Sequence, residues 1–284
     1  MILHILNTGF GVKGNIGYRT FQLIRYSNSK EDHKVIARSG IRHKGVIRLA
    51  FLGILSRGMN LFRKQILGTF NNRIIEIWLW DRIGILFIRL FSPDIVHSWE
   101  YLPKVATHCR RFHIRYVQEV PILPMSYNRE NKLYSRLFYS LSLEKKENLA
   151  ITAAHTVISP SAYLSDYLTK FKNNVITIPF GAVENPNINR VTFSNSQTHT
   201  YIFVGNINLR KGFDILIKAW QSPIFDGDKL IVLGRRDKSI PAEYLKQRGI
   251  EYFGFQDPQP FYSQSDTFVF PSFSEGSAKV IYEA

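Results

Sequence analysis

The sequence predicts an α/β protein made of two domains, each built around a parallel sheet. Three observations lead to this fold class. Short, apolar, β-branched segments alternate with amphipathic segments of helical length along the chain. A stretch rich in Asn, Ser, Thr and Pro, ending at residue 200, interrupts that alternation. The length of 284 residues is enough for about two domains of ~150 residues.

Ten segments are predicted to be strands, because each is short, apolar and rich in β-branched residues. They are Ile2–Leu6, Lys34–Ala37, Asp94–His97, Ile114–Gln118, Thr156–Ile158, Asn174–Ile178, Tyr201–Val204, Lys229–Leu233, Glu251–Phe253 and Thr267–Phe270. Helices are expected between most of them. One is expected to begin at Pro160 with Ser159 as its N-cap. Alternating strands and helices require a parallel sheet with helices on both faces.

The domain limits follow from the same pattern. We assign residues 1–180 to an N-terminal domain, 181–200 to a linker and 201–284 to a C-terminal domain. The C-terminal domain is short for a typical domain. The sequence also ends within an apparent helix that has no stop signal. We therefore expect this second domain to be incomplete in the chain.

The chain is strongly basic, with 37 Lys and Arg against 22 Asp and Glu, a formal net charge of +15. Such a surface favours anionic partners such as phosphates, nucleotides or acidic lipids. Residues 42–91 alone hold nine basic and two acidic residues among many Leu, Ile, Phe and Trp. This segment is either a basic amphipathic surface for an anionic membrane or a helical insertion with a solvated basic face.

Composition also limits the cellular setting and the cofactors. The single cysteine, Cys109, excludes an internal disulfide framework and a cysteine-rich zinc site. The histidines show no metal-ligand spacing, so we expect no metal. No apolar stretch reaches the ~20 residues of a membrane helix, and the first residues lack a basic leader. We expect a cytoplasmic protein, peripheral on the inner membrane face if residues 42–91 bind lipid. The basic residues match no nucleic-acid reader motif, so nucleic acid is not an expected partner.

The first motif is glycine-rich and follows the first predicted strand. Residues 9–14 have the spacing Gly-x-Gly-x-x-Gly, and Gly11 and Gly14 precede a predicted helix. One interpretation is a dinucleotide site, with a pyrophosphate at the helix N-terminus. The others are a tight turn that needs glycine, or a backbone loop lining a cleft beside a sugar or phosphate. The second predicted strand carries no acid at its end to bind a ribose, which weakens the dinucleotide interpretation.

Two further motifs lie in the C-terminal half. Arg210 and Lys211 are adjacent on a strand-to-helix loop, where Arg as a bidentate fork and Lys as a point charge can clamp a diphosphate. Glu275 and Glu283 are eight residues apart, at a strand-to-helix turn and just over two helical turns later. One carboxylate can reach a sugar while the other accepts ribose hydroxyls. Taken separately, these residues also fit a solvated basic pair, a capping acid and a surface glutamate.

Three segments, GNINLRKGFDILIKA, IEYFGFQDPQPFYSQSDTFVFPS and SEGSAKVIYEA, together resemble a family 4 (group 1) glycosyltransferase of the GT-B architecture. The N-terminal half fits more loosely, through PDIVHSWE and AHTVISPSAYLSDYL. The resemblance implies two Rossmann-like domains facing a cleft, with the C-terminal part of the second absent. It also implies retaining transfer from a nucleotide-sugar donor to a saccharide or lipid-linked acceptor, with no cofactor and no obligatory metal.

The resemblance also implies roles for individual residues. Arg210 and Lys211 would hold the donor diphosphate, and Glu275 would contact the transferred sugar, as the catalytic set. The implied donor-binding residues are Gly205, Asn206, Gly276, Ser277 and Glu283, the last of which would bind the ribose. Candidates on the acceptor and phosphate side are Gly11, Gly14, His97, Gln118 and Glu119. His97 and Glu119 belong to this set because they end predicted strands, where ligand sites of α/β proteins form.

Two departures from the family pattern keep other functions open. Many members have Arg at the position of Asn206 and His at the position of Gln118. These departures favour, as the main alternative, an inactive sugar-nucleotide-binding or scaffold protein of the same fold. A nicotinamide-dependent oxidoreductase is a further alternative through the glycine-rich motif, and it would leave the Glu275 segment without a role. The enzyme remains the leading hypothesis.

Overall fold

The computed structural model describes residues 1–10, 20–21, 23–25, 32–40, 45–49, 72–122, 141–180, 198–273 and 275–284. They form two compact units, Met1–Pro179 and Phe180–Ala284. Each unit is a parallel α/β structure, as the sequence predicts. Most of the predicted linker lies outside the described residues, and so do Gly11 and Gly14.

The first unit is built on a seven-stranded, all-parallel sheet. Its strands are β1 (Ile2–Phe10), β2 (His33–Gly40), β3 (Val46–Arg48), β4 (Ile95–Ser98), β5 (Arg115–Glu119), β6 (Thr156–Ser159) and β7 (Val175–Thr177). Their order is β3-β2-β1-β4-β5-β6-β7, which extends the doubly wound Rossmann order by one strand. The three residues of β3 are too few to form an alternating pattern, so this strand is absent from the predicted ones.

Helices cover the sheet of the first unit and close its core. They are α1 (Asn72–Phe91), α2 (Pro103–Arg111), α3 (Leu141–Ala153) and α4 (Ala162–Leu168). Leu3, Ile5, Val96 and Tyr116 alternate along their strands with residues of the other face, and all four side chains are buried in one apolar cluster. The core of this unit therefore lies between that sheet face and the helices packed on it.

The predicted start of α4 is wrong by two residues. Ser161 is the N-cap, and its Oγ accepts a hydrogen bond from the Leu164 N–H at 3.3 Å. Ser159 instead ends β6, where it still pairs with Thr177 of β7. Its hydroxyl donates to the Ser161 carbonyl oxygen at 3.0 Å and so holds the turn. Pairing with the neighbouring strand thus keeps Ser159 in the sheet and moves the cap forward.

Asp81, in the middle of α1, caps a different helix. Its Oδ1 accepts hydrogen bonds from the backbone N–H groups of Lys104 at 2.9 Å and Val105 at 3.0 Å, in the first turn of α2. The N-terminal N–H groups of a helix lack partners within the helix, so this contact satisfies two of them. Burial raises the pKa of Asp81 to about 6, although the two backbone N–H groups counteract the rise.

The second unit has a four-stranded parallel sheet. Its strands are β8 (Thr200–Val204), β9 (Lys229–Leu233), β10 (Ile250–Gly254) and β11 (Thr267–Phe268), in the order β10-β9-β8-β11. Around it lie α5 (Phe213–Trp220), α6 (Gln259–Tyr262), α7 (Lys279–Glu283) and 3-10 helices at Leu209–Lys211, Pro223–Phe225 and Ala242–Lys246. Apolar clusters occupy both sheet faces, as the near-continuous hydrophobic strands predict.

Candidate active site

The strand order of the second unit places a ligand site at one edge of its sheet. The chain runs from β8 outward to β9 and β10, then returns to β11 on the other side of β8. Ligands of open α/β sheets bind outside the carboxyl ends of the strands at such a switch point. The loop after β8 carries Arg210 and Lys211, and the loop after β11 carries Glu275. The topology therefore brings together the two motifs that the sequence places 65 residues apart.

A close contact between the two loops depends on Gly212. Its φ is +67°, in the left-handed region, and a Cβ there would lie 2.1 Å from the Pro271 carbonyl oxygen. The Phe273 N–H donates to the Arg210 carbonyl oxygen at 3.0 Å on the same contact. Only glycine tolerates both the backbone conformation and the approach of Pro271. The glycine after Lys211 is thus required for the two motifs to meet.

Three side chains donate to a single carboxylate oxygen in this site. Glu275 Oε1 lies 2.8 Å from Arg210 Nη1 and 2.6 Å from Lys211 Nζ. Ser272 Oγ donates to the same oxygen at 2.5 Å. Asn208 fixes the backbone of this loop. Its Oδ1 accepts a hydrogen bond from the Lys211 N–H at 3.0 Å and so caps the short 3-10 helix. We call Arg210, Lys211, Ser272 and Glu275 the basic cluster.

Electrostatics of the basic cluster favour an anionic ligand. The Lys211 side chain is only 11% exposed, and burial lowers its pKa, while the adjacent Glu275 carboxylate counteracts that shift. The Lys211 ammonium also lies over the Phe270 ring, with Nζ 4.9 Å from the ring centroid, a cation–π contact. Two cations and one carboxylate leave a net charge of +1. The cluster can therefore accept phosphate oxygens and stabilise negative charge that develops on them.

The other predicted donor-binding residues surround this cluster. Gly205 follows β8 at a close backbone approach, since a Cβ on Gly234 would lie 1.8 Å from the Gly205 carbonyl oxygen. Asn206 is exposed and Gly276 is buried. Ser277 Oγ is buried and, within the described part of the chain, has no hydrogen-bond partner.

Glu283 lies on α7 and is partly buried. Its charge acts on Tyr262, whose pKa is raised chiefly by burial and further by this carboxylate. Neither Tyr262 nor Ser272 is among the predicted site residues. Their only sequence signal is their place in segments flanking the strand that precedes Glu275.

In the first unit, the switch point lies between β1 and β4, and His97 stands near the carboxyl end of β4. His97 Nε2 lies 3.0 Å from Glu119 Oε2, and its Nδ1 lies 2.9 Å from His4 Nδ1. His4 Nε2 in turn lies 3.0 Å from His33 Nδ1. The structure thus brings the predicted His97 and Glu119 together and adds two histidines that are not predicted. Strand register is what joins them, and it cannot be read from the separate segments.

Gln118 points away from Glu119, because successive residues of a strand face opposite sides of the sheet. Its side chain is fully buried. The Gln118 Oε1 accepts from the Tyr116 hydroxyl at 2.9 Å, and its Nε2 donates to the carbonyl oxygens of Ser98 at 3.2 Å and Glu119 at 3.1 Å. The amide is therefore fully engaged with the protein itself. Among the described residues, no group of three His, Cys, Asp or Glu side chains is arranged to hold a metal ion.

Comparisons with known proteins agree with this geometry. The family model for glycosyl transferases, group 1, matches residues 198–284. No curated protein sequence matches the chain. The fold resembles sucrose-phosphate synthase (tll1590) from Thermosynechococcus elongatus, with a TM-score of 0.68 and 16% identity over 100% of this chain and 78% of that one.

Two more solved structures share the fold over the same extents. WaaG, a glycosyltransferase involved in lipopolysaccharide biosynthesis, gives a TM-score of 0.65 at 14% identity over 100% of this chain and 78% of that one. HepE (Alr3699) from Anabaena, in complex with UDP and glucose, gives a TM-score of 0.58 at 15% identity, over 100% of this chain and 78% of that one. All three likenesses concern the fold of the whole chain.

The two Rossmann-like units and the likeness to these solved structures identify the fold as GT-B. Residues 198–284, most of the second unit, are the part that matches the group 1 glycosyl transferase model. The glycosyltransferase class and the α/β architecture predicted from the sequence are thereby confirmed.

Proposed function

We propose that this protein transfers a sugar from a nucleotide-sugar donor to a saccharide or lipid-linked acceptor, with retention, in the synthesis of cell-surface polysaccharide or glycolipid. The convergence of Arg210, Lys211 and Ser272 on Glu275 carries this proposal. The presence of UDP and glucose in the HepE structure supports a sugar-nucleotide donor. The role of WaaG in lipopolysaccharide biosynthesis supports a surface-glycan acceptor.

The basic cluster suggests how donor binding proceeds. Glu275 holds the Arg210 and Lys211 side chains toward one point. A diphosphate carries more negative charge than a carboxylate and offers more acceptor oxygens, so it takes over these donors when it binds. Glu275 is then released toward the sugar. As the bond from the sugar C1 to the phosphate oxygen breaks, the same two cations stabilise the charge on the departing phosphate.

The anionic membrane surface remains the proposed partner of the basic segment. Within residues 50–91, the structure describes only helix α1, Asn72–Phe91. Its outer face carries Trp78, Arg82, Leu86 and Leu90 at four-residue steps, which place them along one side of the helix. Leu86 and Leu90 are 62% and 66% exposed, and the Arg82 guanidinium lies over the Trp78 ring, 4.8 Å from its centroid. Exposed Leu and Trp beside Arg suit insertion at an anionic lipid interface. No helix in the described residues is long and apolar enough to cross a membrane.

Transfer can be tested directly. Calorimetric titration with a panel of nucleoside diphosphates and sugar nucleotides identifies the donor, and proton NMR of the product with the matching acceptor reports the anomeric configuration. Binding of one diphosphate nucleotide, followed by a product with the donor's configuration, is the expected result. An inverted product would overturn retention, and failure of every diphosphate nucleotide to bind would overturn the proposal as a whole.

An inactive sugar-nucleotide-binding protein is the second candidate. Gln118 favours this candidate, because its side-chain amide is hydrogen-bonded to Tyr116, Ser98 and Glu119 and so does not face a ligand. This candidate predicts tight donor binding without turnover. The same titration and product analysis separate it from the enzyme.

A further inference from the structure

Three helices of the first unit lie side by side over its sheet, with α2 packed between α1 and α3. Asp81 of α1 accepts hydrogen bonds from the first turn of α2, and a Cβ on Gly84 of α1 would lie 2.7 Å from Val105 Cγ2. Residues of α2 and α3 are buried in the same apolar cluster. We call α1, α2 with the following Phe112, and α3 the helix layer.

Charge is segregated across the helix layer. Its sequence contains four acids, of which Asp81, Glu144 and Glu147 are only 1%, 4% and 4% exposed. The fourth, Glu76, is paired with Arg38 of β2, with 3.7 Å between Oε1 and Nη1. Among the described side chains of the layer, the exposed charged ones are all basic: Arg82, Arg89, Lys104, Arg110, Arg111 and Lys145. The outer side of the layer therefore carries positive charge that its own acids, turned inward, do not offset.

Large apolar side chains are exposed among these cations. They are Trp78, Leu86, Leu90, Phe112, Leu141 and Leu149. On α3, Leu141, Lys145 and Leu149 follow one another at four-residue steps, which place them along one side of the helix. At the end of α2, the Arg111 guanidinium lies 5.7 Å from the centroid of the Phe112 ring. All three helices thus present apolar and basic side chains together.

This mixture fits a bilayer surface better than a protein partner. Charged residues are depleted from the core of protein–protein interfaces, whereas every exposed apolar residue of the helix layer has an exposed cation within four residues along the chain. A second copy of the chain would bring like charges together. At an anionic bilayer, Leu, Phe and Trp enter the boundary of the acyl chains, while the long stems of Lys and Arg extend to the head-group phosphates.

We propose that the helix layer is the membrane-binding surface of this protein and lies flat on a bilayer that contains anionic phospholipid. This inference rests on the proposed function, in which an anionic membrane is the partner of α1, and it extends the contact to α2, Phe112 and α3. Exposed cations on three neighbouring helices spread the contact over a plane, whereas the single stripe of α1 forms only a line.

Flat binding also orients the sheet. The outer side of a helix layer runs parallel to the sheet that it covers, so the strands lie along the plane of the membrane. The carboxyl edge of the sheet, where His97 and Glu119 lie, then opens along the membrane surface. A lipid-linked acceptor can therefore reach this edge from the side while its lipid stays in the bilayer.

Tryptophan fluorescence tests the contact without any variant. Trp78 is exposed, whereas Trp80, Trp99 and Trp220, the other tryptophans of the chain, are buried. Vesicles of phosphatidylglycerol and phosphatidylcholine with brominated acyl chains quench a tryptophan that enters them. We expect quenching by these vesicles, little quenching by brominated phosphatidylcholine alone, and loss of the effect in Trp78→Phe. Unchanged emission with the anionic vesicles would overturn the proposal.

A triple variant tests the contribution of α2 and α3. Lys104→Gln, Arg111→Gln and Lys145→Gln together remove three exposed cations and leave α1 as it is. Each cation near an anionic surface strengthens binding about fivefold, so the triple variant should bind anionic vesicles about a hundredfold more weakly. Wild-type affinity in this variant would show that α1 acts alone, and the helix layer would be refuted.

The matched control removes the same charge from the second unit. Lys218→Gln, Lys246→Gln and Arg248→Gln lie at exposed positions there, and this variant should bind vesicles like the wild type. An equal loss in both triple variants would show that only net charge matters, which refutes a defined surface. A dimer in sedimentation that the first variant dissociates would show that a second copy covers this face, and it would likewise overturn the proposal.

Calorimetry with nucleoside diphosphates, in the absence of vesicles, separates this inference from the proposed function. Both triple variants should keep the wild-type affinity for nucleoside diphosphate, which also reports that they are folded. A chain that binds nucleoside diphosphate but no anionic vesicles refutes the membrane surface alone. A chain that binds vesicles through the helix layer but binds no nucleoside diphosphate refutes the proposed transfer and supports the surface.

Discussion

Arg210 and Glu275, 65 residues apart, are joined by a hydrogen bond of 2.8 Å from Arg210 Nη1 to Glu275 Oε1. Lys211 Nζ lies 2.6 Å from the same oxygen. Both predicted phosphate-binding cations are therefore paired with the predicted sugar-binding carboxylate, and the three groups together keep a net charge of +1. Under the proposed function, the donor diphosphate would compete with the Glu275 carboxylate for these two cations.

Arg210→Ala should weaken nucleoside diphosphate binding by roughly ten- to a hundredfold, because hydrogen bonds to charged groups contribute ~1.5–3 kcal/mol. Affinity for the free nucleoside should change little, since it has no phosphate. Calorimetry with both ligands measures the difference. Arg248→Ala is the control, because Arg248 pairs with Asp226 at 3.5 Å by the amino end of β10, away from the switch point. Equal losses for nucleoside and diphosphate would contradict the assignment.

Glu275→Gln should bind nucleoside diphosphate about two- to fivefold more tightly, because the diphosphate no longer displaces a carboxylate from partly exposed ion pairs worth ~0.2–1 kcal/mol. Turnover should fall, since the sugar loses its charged partner. Titration and initial rates on one preparation give both values. Ser272→Ala removes one donor and leaves the carboxylate in place, so it should show no comparable gain in affinity. Weaker diphosphate binding in Glu275→Gln would show that Glu275 contacts the diphosphate side of the donor.

Glu283→Ala should weaken nucleoside and nucleoside diphosphate by the same factor, roughly ten- to a hundredfold, because two ribose hydroxyls lose a charged acceptor. This pattern differs from that of Arg210→Ala, where only the diphosphate is affected. Calorimetry with the two ligands distinguishes the patterns. A selective loss of diphosphate affinity would move Glu283 from the ribose to the phosphates.

Asp81 should make the fold less stable as the pH rises from about 4 to about 6. The carboxyl has a pKa of about 6 in the folded protein, raised by burial, and ~3.9 when unfolded. The folded state therefore holds the proton more tightly, and its stabilising effect is fully present below pH ~4 and lost by pH ~6. Asp81→Asn keeps the Oδ1 acceptor for Lys104 and Val105 without a charge. It should remove this pH dependence and raise the free energy of unfolding at pH 7.5 by about 1–3 kcal/mol.

Asp81→Ala provides the matched comparison, because it also removes the cap of α2. It should be less stable than Asp81→Asn by ~1 kcal/mol, the usual value of a helix cap. Urea unfolding of the wild type and both variants at pH 4.5 and 7.5 gives these differences. Equal free energies of unfolding for the wild type and Asp81→Asn at both pH values would show that ionisation of Asp81 does not destabilise the fold.

Leu86→Glu combined with Leu90→Glu should abolish binding to anionic vesicles, since the two changes place charge on the exposed face of α1. Vesicle flotation with anionic and with neutral lipid measures binding. The wild type should float with anionic vesicles only. The control is Ile224→Glu, at an exposed residue of the second unit, which should float like the wild type. Equal recovery of wild type with both lipids would argue against an anionic membrane partner.

Local sequence was sufficient for the features that depend on near neighbours. The strand Lys229–Leu233 has the predicted bounds, because the four apolar residues that follow Lys229 can bury both faces only as a central strand. The adjacency of Arg210 and Lys211, and the glycine that follows them, likewise belong to one short loop. These local patterns were enough to predict the α/β class, the two-part organisation and the family.

Tertiary structure decided which of these segments meet. The order β10-β9-β8-β11 brings Ser272 and Glu275 to Arg210, and the order of β2, β1, β4 and β5 joins His33, His4, His97 and Glu119. Asp81 likewise reaches its helix cap only through the packing of α1 on α2. Such contacts depend on crossover connections and strand register, which are set by burial of the whole sheet. The sequence of a single segment does not specify its neighbours in the sheet, because its hydrophobic pattern is the same whichever strand lies beside it.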